Sequence, residues 1–305
     1  MSGRLLVVGL ATSLDRYAWL PSFAAGTINR PTEVVARAGG KGLNAARSAA
    51  GLGVDVRAIA LTGGATGRTV RALGHPAAVR FVDSGVETRQ CLCLLDAAGV
   101  LTEVYEPVLP VSSEIWPSVV SAVADELATA DLLALSGRVP PGLGVDALAE
   151  LVDLAHAAGV PVIVDSDGPA LVAALRRGPT MVKVNETEAA AVTDDGPAGL
   201  AALGARSVVV TGGATGARYL GEDGRQIFVT HDAIPGAVPV GSGDAFLAGL
   251  AAQWLIDAAP APNDPGTVLR VAAAAARANA RRLPAGDITR ESVDAELASV
   301  RVRPV

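Results

Sequence analysis

Residues 239–250 read Pro-Val-Gly-Ser-Gly-Asp-Ala-Phe-Leu-Ala-Gly-Leu. Gly241, Ser242 and Gly243 are too small to build a core, and Ala245–Ile256 behind them is an apolar run of helix-forming residues. Such a junction puts bare backbone N–H groups at a helix start, where the helix dipole favours an anion. Asp244 sits in the middle of that anion site. A carboxylate suits poorly a site that only binds phosphate. It suits well a site that must take a proton beside a phosphoryl group in transit. The pattern points to phosphoryl transfer onto a hydroxyl, with the amides of Gly241, Ser242 and Gly243 receiving charge and Asp244 as the general base.

A second signal comes from composition. The chain has 23 arginines and only two lysines. Where a generic positive charge suffices, this sequence uses arginine, so the lysines mark places where a compact ammonium differs from a planar guanidinium. They are Lys41, in Gly39-Gly-Lys-Gly-Leu-Asn44, and Lys183, in Lys183-Val-Asn-Glu-Thr-Glu188.

The elements that must position these residues alternate along the chain. Arg4–Leu10, Val54–Leu61, Asp131–Leu135, Val160–Val164, Thr180–Val184 and Ser207–Val210 read as strands. Lys41–Leu52, Ser113–Ala128, Val145–Ala158, Asp244–Ile256 and Thr267–Arg282 read as helices. Several strand runs are continuous Val, Leu and Ile, as in parallel strands covered on both faces. The fold class is α/β: an open, mostly parallel sheet with helices on both faces. Ligands in such sheets bind beyond the carboxyl ends of the strands. Ser136-Gly137, Asp165-Ser166-Asp167, Asn185-Glu186 and Thr211-Gly212-Gly213 all stand there.

Two segments break the alternation. Residues 15–38 and 89–106 are rich in β-branched and aromatic residues with turn signals, including Asp96-Ala97-Ala98-Gly99 between two strand-like runs. They predict a small β-sheet lid, also suited to pairing with a second subunit. Residues 1–14, 39–88 and 107–305 make the α/β core.

Bulk properties exclude other classes. Net charge is −6, with no basic block, which argues against a nucleic-acid surface. No apolar run reaches the ~18 residues of a membrane span, and Leu5–Ala11 meets Asp15 too soon for a signal peptide. Cys91 and Cys93 alternate within one strand-like run, which suits a buried strand face and not a metal site or a disulfide. The chain reads as soluble and cytoplasmic.

The common phosphate motifs fail. A P-loop around Lys41 would need glycine at Val35, and a dinucleotide fingerprint starting at Gly241 would need glycine at Phe246. Gly39-Gly-Lys-Gly-Leu-Asn-Ala-Ala-Arg-Ser-Ala-Ala-Gly-Leu-Gly53 and Gly241-Ser-Gly-Asp-Ala245 instead resemble, in order and spacing, the two signatures of the PfkB or ribokinase-like carbohydrate kinases. The resemblance spans nearly the whole chain. It implies a ribokinase-like core with a β-sheet lid, ATP as donor, Mg²⁺, and a sugar or nucleoside hydroxyl as acceptor. Within the family, Ser136-Gly137-Arg-Val-Pro-Pro-Gly142, Glu87-Thr-Arg-Gln90 and Val240-Gly-Ser-Gly-Asp244 are most similar to the 1-phosphofructokinase and tagatose-6-phosphate kinase branch.

The resemblance assigns roles. Asp15 would grip sugar hydroxyls, Gly40, Lys41 and Asn44 would form the sugar-side loop, and Lys41 and Arg89 would suit a substrate phosphate. Ser136 and Arg138 fall on the substrate side. Asn185 and Glu188 match the family's Asn-x-x-Glu, which holds Mg²⁺ and the ATP phosphates through water, with Asp165 assisting. Thr211, Gly213 and Gly216 belong to a turn against the nucleotide, and Asn279 to the adenine side.

Four departures concern the acceptor and the cation. Ala11-Thr12-Ser13-Leu14 stands where that branch has Asn-Pro-Ala before the first aspartate, Arg138 replaces a serine, and Cys91 replaces an asparagine. Val238 stands six residues before Asp244, where many members place an acidic or amide ligand, so a monovalent cation such as potassium is unsupported. The reading is an ATP-dependent kinase of a ketohexose phosphate. The alternatives are a kinase of an unphosphorylated sugar or nucleoside, and a non-catalytic sugar-phosphate sensor.

Overall fold

The computed structural model describes residues 3–257, 262–281 and 283–304. The chain opens with β1 (Arg4–Gly9), makes an excursion through β2 (Ser13–Leu20) and β3 (Glu33–Gly39), and returns by α1 (Lys41–Gly51) to β4 (Asp55–Thr62). After α2 (Gly64–Ala72) and β5 (Ala78–Asp83) comes a second excursion, β6 (Arg89–Asp96) and β7 (Leu101–Tyr105). A 3₁₀ turn at Ser113–Ile115 leads into α3 (Trp116–Leu127), followed by β8 (Leu132–Ser136), α4 (Ala147–Ala157), β9 (Val162–Asp165) and α5 (Gly168–Leu175). Then come β10 (Met181–Asn185), α6 (Glu186–Ala190), α7 (Gly196–Ala202), β11 (Val208–Thr211) and the hairpin of β12 (Ala217–Leu220) and β13 (Gln226–His231). The chain ends with α8 (Ser242–Asp257), α9 (Pro265–Ala280), α10 (Arg290–Asp294) and β14 (Val300–Pro304).

Ten of the described strands form one sheet, in the order β14-β13-β12-β11-β10-β9-β8-β1-β4-β5. From β11 to β5 all pairs are parallel, and β12, β13 and β14 add an antiparallel edge. The parallel core matches the α/β reading, and the six strands read from apolar runs lie within two residues of their observed bounds. β5 and the edge strands have no counterpart in the sequence reading, because their apolar runs are at most three residues long and are bounded by polar ones. The predicted helix Thr267–Arg282 is α9, which runs from Pro265 to Ala280; Arg282 lies outside the described residues.

Two cores flank the sheet. One is built by α1, α8 and α9, the other by α3, α4, α5 and α7. Helix α8 is apolar almost all round, from Ala245 and Phe246 to Trp254 and Leu255, because it lies between α1, α9 and the sheet. Its alanines and those of α9 let the two helices approach closely. That packing fixes where the N-terminus of α8 points.

The two excursions form a separate four-stranded sheet, β3-β2-β6-β7, with β2 and β6 parallel. Cys91 and Cys93 are both buried and free on β6, opposite Asp15 and Tyr17 of β2. Tyr17 and Cys93 pack with Ala285, against Val240 and Leu283, so the small sheet rests on the loops that flank the start of α8.

Candidate active site

Asp15 reaches the site from β2, and glycine makes room for it. A Cβ on Gly39 would lie 2.1 Å from the Asp15 carboxyl carbon. Ser13 Oγ donates to Asp15 Oδ1 at 2.5 Å. Burial pushes the Asp15 carboxyl above its ordinary range, against hydrogen bonds from Ser13, Gly40 and Asn44. Arg89 enters from the start of β6, with its Nε buried and without a partner in the protein and Nη1 donating to Glu106 O at 3.4 Å.

The two lysines converge on one carboxylate. Asp165, at the carboxyl end of β9, is fully buried. Lys183 Nζ on β10 donates to Asp165 Oδ2 at 2.7 Å, and Lys41 Nζ at the start of α1 lies 3.5 Å from Oδ1. Lys41 also donates to Glu188 Oε1 at 2.9 Å. Burial alone would raise the Asp165 carboxyl, but Lys183 and then Lys41 more than offset it and hold it low. The Lys41 ammonium is held well above its usual range, chiefly by Asp165. Glu188 Oε2 accepts from Asn185 N at 2.9 Å, and Asn185 Oδ1 accepts from Glu188 N at 2.8 Å. Asn-x-x-Glu is therefore also the capping box of α6.

The start of α8 closes the arrangement. Gly241 has φ +74°, and a Cβ there would lie 2.6 Å from Ala285 Cβ, so the turn requires glycine. The amide of Ser242 donates back to Pro239 O at 3.0 Å, which corrects the expectation of three available amides: Gly241 and Gly243 line the cleft beside Asp244. Lys183 Nζ lies 3.4 Å from where a Gly243 Cβ would stand. Asp244 is buried, and its carboxyl is pushed up to about 7. Burial is the largest cause and the Asp165 carboxylate the next, opposed by Lys41, Lys183 and Asn44.

These residues line two clefts that meet at Thr211 and Gly243. One, of about 290 Å³, contains Asp15, Gly40, Lys41, Asn44, Arg89, Asn185, Glu188, Gly241 and Asp244. The other, of about 310 Å³, contains Gly213, Gly216 and Ser242. Four sequence-predicted residues line neither cleft. Asp165 lies beneath the first and reaches it through the two lysines. Ser136 ends β8 in register with Asp165, its Oγ buried without a partner. Arg138 is exposed and paired with Asp167 at 2.7 Å. Asn279 is a correction to the adenine-side reading. It is buried, and Nδ2 donates to Val240 O at 2.7 Å and to Ser242 Oγ at 3.2 Å. Its Oδ1 accepts from Gly286 N at 2.8 Å. The amide clamps the turn before α8 instead of facing a cleft.

Lys183, Ser13 and Tyr105 line the first cleft without having been assigned a role from sequence. Only Lys183 carried a signal, as one of two lysines among many arginines.

No group of three or more His, Cys, Asp or Glu among the described residues could hold a metal. Both oxygens of Glu188 and of Asp165 already accept hydrogen bonds. This donor set does not fit a resident metal cage. It does fit a magnesium ion that arrives on nucleotide phosphates and keeps its waters. No described helix is long and apolar enough to cross a membrane.

Comparison with known proteins gives one consistent picture. The family model described as pfkB family carbohydrate kinase matches residues 2–290. Phosphofructokinase-2 of Escherichia coli, solved with potassium, is 27% identical, with 98% of this chain and 99% of that one covered at a TM-score of 0.85. The same enzyme solved with fructose-6-phosphate is again 27% identical, with the same coverage and a TM-score of 0.83. A possible 1-phosphofructokinase of Thermotoga maritima is 23% identical over 99% of both chains, at a TM-score of 0.88, and shows the shared fold.

Proposed function

The chain belongs to the pfkB family of carbohydrate kinases, and from that premise we propose that it transfers the terminal phosphoryl group of ATP to a hydroxyl of a sugar phosphate. The acceptor in this reading is a ketohexose phosphate such as fructose 1-phosphate, fructose 6-phosphate or tagatose 6-phosphate. The observation that carries it is Asp244, a buried carboxyl pushed up to about 7 at a glycine turn that opens a helix, with two lysines close by. A base with a pKa near working pH is matched to its task.

In the reaction, the acceptor oxygen bonds to the terminal phosphorus as the bond from that phosphorus to the ADP oxygen breaks. The hydroxyl proton goes to Asp244. The amides of Gly241 and Gly243 and the ammonium groups of Lys41 and Lys183 receive the charge on the moving group, and one such donor is typically worth about 3 kcal/mol in the transition state. Asp15 and Asn44 orient the acceptor. Asn185 and Glu188 would face magnesium through water, while Asp165, buried beneath the cleft with both oxygens held by Lys41 and Lys183, would act through those lysines and not on the ion as expected from sequence; the ion would supply charge neutralisation on the nucleotide phosphates. The small sheet acts as the lid that excludes water, and its exposed Val34 and Val104, which share the face opposite Asp15 and Tyr105, support its pairing with a second copy.

Arg89 supports a phosphorylated acceptor, since its Nε is a buried cationic donor without a partner on the acceptor wall. The solved complex of the Escherichia coli enzyme with fructose-6-phosphate adds support. A second reading, an unphosphorylated sugar, is favoured by one observation: Lys41 is turned to Glu188 and Arg138 to Asp167, which leaves Arg89 alone on that wall. ADP release with fructose 1-phosphate, fructose 6-phosphate, tagatose 6-phosphate, fructose and ribose decides. One phosphorylated ketohexose should exceed both free sugars by roughly 10²-fold in kcat/KM. Faster turnover of a free sugar selects the second reading, and no turnover of any acceptor selects a sensor.

A further inference from the structure

The second cleft combines a polar and an apolar lining. Near Gly243 it offers the hydroxyls of Thr211 and Ser242. Its apolar wall is built by Ile234, Ala237, Pro239, Phe246, Ala273 and Ala276, which carry no polar side-chain atom. Two polar side chains among the described residues border that wall, His231 and Arg277, and both are anchored in the protein by hydrogen bonds. His231 Nε2 lies 3.1 Å from Gly213 O, and Nδ1 lies 3.1 Å from Asp232 O and 3.2 Å from Arg277 Nη1. In either neutral tautomer one ring nitrogen donates to a carbonyl, Nε2 to Gly213 or Nδ1 to Asp232, so both nitrogens are turned to the protein. Arg277 is buried, with Nε donating to Glu296 Oε2 at 2.9 Å and Nη1 donating to Asp232 O. Two backbone amides there are engaged as well: Val238 N donates to Ala280 O at 2.8 Å and Ala237 N to Ile234 O at 3.2 Å.

We infer that this apolar wall holds the base of the donor by shape and apolar contact, with no side chain reading its hydrogen-bonding edge, so that the enzyme takes purine nucleoside triphosphates as a class and not ATP selectively. The inference rests on the kinase reading above and specifies its donor. Adenine presents an N–H donor and a ring-nitrogen acceptor where guanine and hypoxanthine present the reverse. A site that pairs with one pattern leaves buried polar groups unsatisfied by the other and discriminates by about 10⁴-fold or more. An apolar slot has no such groups to strand, and its discrimination between similar shapes stays within roughly 10²-fold. Selectivity is then set by size. A pyrimidine lacks the second ring, leaves part of the wall uncovered, and loses apolar contact that all three purines share. The phosphate end, common to every nucleoside triphosphate, provides the rest of the binding.

The test is binding without turnover. The full chain is titrated with the magnesium salts of ATP, GTP, ITP and CTP against a fluorescent ADP analogue, with no sugar present. Dissociation constants for ATP, GTP and ITP should agree within about tenfold, with CTP weaker than all three. GTP and ITP both binding more than about 100-fold more weakly than ATP would overturn the inference while leaving the kinase reading intact. Failure of every nucleotide to bind would overturn the kinase reading itself, and the inference with it. His231→Phe supplies a second readout: the ratio of ATP to GTP affinity should stay within about threefold of the wild type. A tenfold change in that ratio would show that His231 reads the base.

Discussion

Replacing Asp244 should make the protein more stable and nearly inactive at once. The carboxyl is displaced from 3.8 to about 7, first by burial and then by the Asp165 carboxylate, against the pull of Lys41 and Lys183. The unfolded chain ionises this group near 3.8 and the folded chain near 7, so the folded state binds more protons in between. Stability from this group is therefore full below the unfolded value, is lost as pH rises through that window, and is level above it. At 1.36 kcal/mol per pKa unit, the penalty above neutrality comes to about 4 kcal/mol. Asp244→Asn puts an uncharged amide of nearly the same shape in place and escapes it. The variant should melt higher at pH 8 by up to about 8 °C, at roughly 2 °C per kcal/mol for a chain of this size. The gain should shrink towards zero near pH 4. Its kcat should fall by roughly 10²-fold or more, since the proton acceptor is gone. Thermal melts of both proteins between pH 4 and pH 8, with kcat measured on the same preparations, make the comparison. A variant that melts at or below wild type at pH 8, or a gain that does not change with pH, would refute the reasoning.

Three other substitutions probe separate parts of the site. Lys183→Met removes the closer partner of buried Asp165 and should cost about 3 kcal/mol in denaturant melts. It should also move the rising limb of the kcat/KM pH profile upward, because Lys183 is one of the charges that lowers the Asp244 carboxyl. Arg89→Ala should raise KM for a phosphorylated acceptor by roughly 10–100-fold, the worth of a charge-assisted hydrogen bond, with kcat and the KM for ATP nearly unchanged. Steady-state kinetics with one phosphorylated and one free sugar check it. Asn279→Ala leaves Val240 O and Gly286 N without a partner and should cost about 1–3 kcal/mol in thermal melts. Its kcat should drop more than its affinity for nucleotide, whereas an adenine contact would show the opposite split in a kinetic and binding comparison.

How much of this could be read from sequence depended on the range of the interaction. β1, β4, β8, β9, β10 and β11 are continuous apolar runs and announce themselves, as do α1 and α8 behind their glycine turns. Helix α2 does not. Gly64, Thr66, Gly67 and Thr69 are poor helix formers, and the carboxylate that accepts from the Ala65 and Thr66 amides, at 3.1 and 2.5 Å, belongs to Glu87 more than 20 residues away. Glu87 was singled out within a motif, and the structure uses it as a helix cap. Asn279 shows the same limit at the site. An asparagine on a helix is ambiguous until the chain has brought Val240, Ser242 and Gly286 around it. The pairing of Arg138 with Asp167 likewise spans 29 residues and has no local signature. Lys183 is the intermediate case: its rarity flagged it, but only the fold shows that it and Lys41 share Asp165.

The central claim is that a phosphoryl group passes directly from ATP to a sugar phosphate beside Asp244. ³¹P nuclear magnetic resonance of the enzyme with MgATP and each ketohexose phosphate follows that group itself. The account predicts that, with one acceptor, a second phosphomonoester signal grows in step with ADP and no free phosphate appears, and that Asp244→Asn slows both signals together by roughly 10²-fold or more. Free phosphate accumulating at the same rate with and without sugar, and no second ester signal, would contradict it.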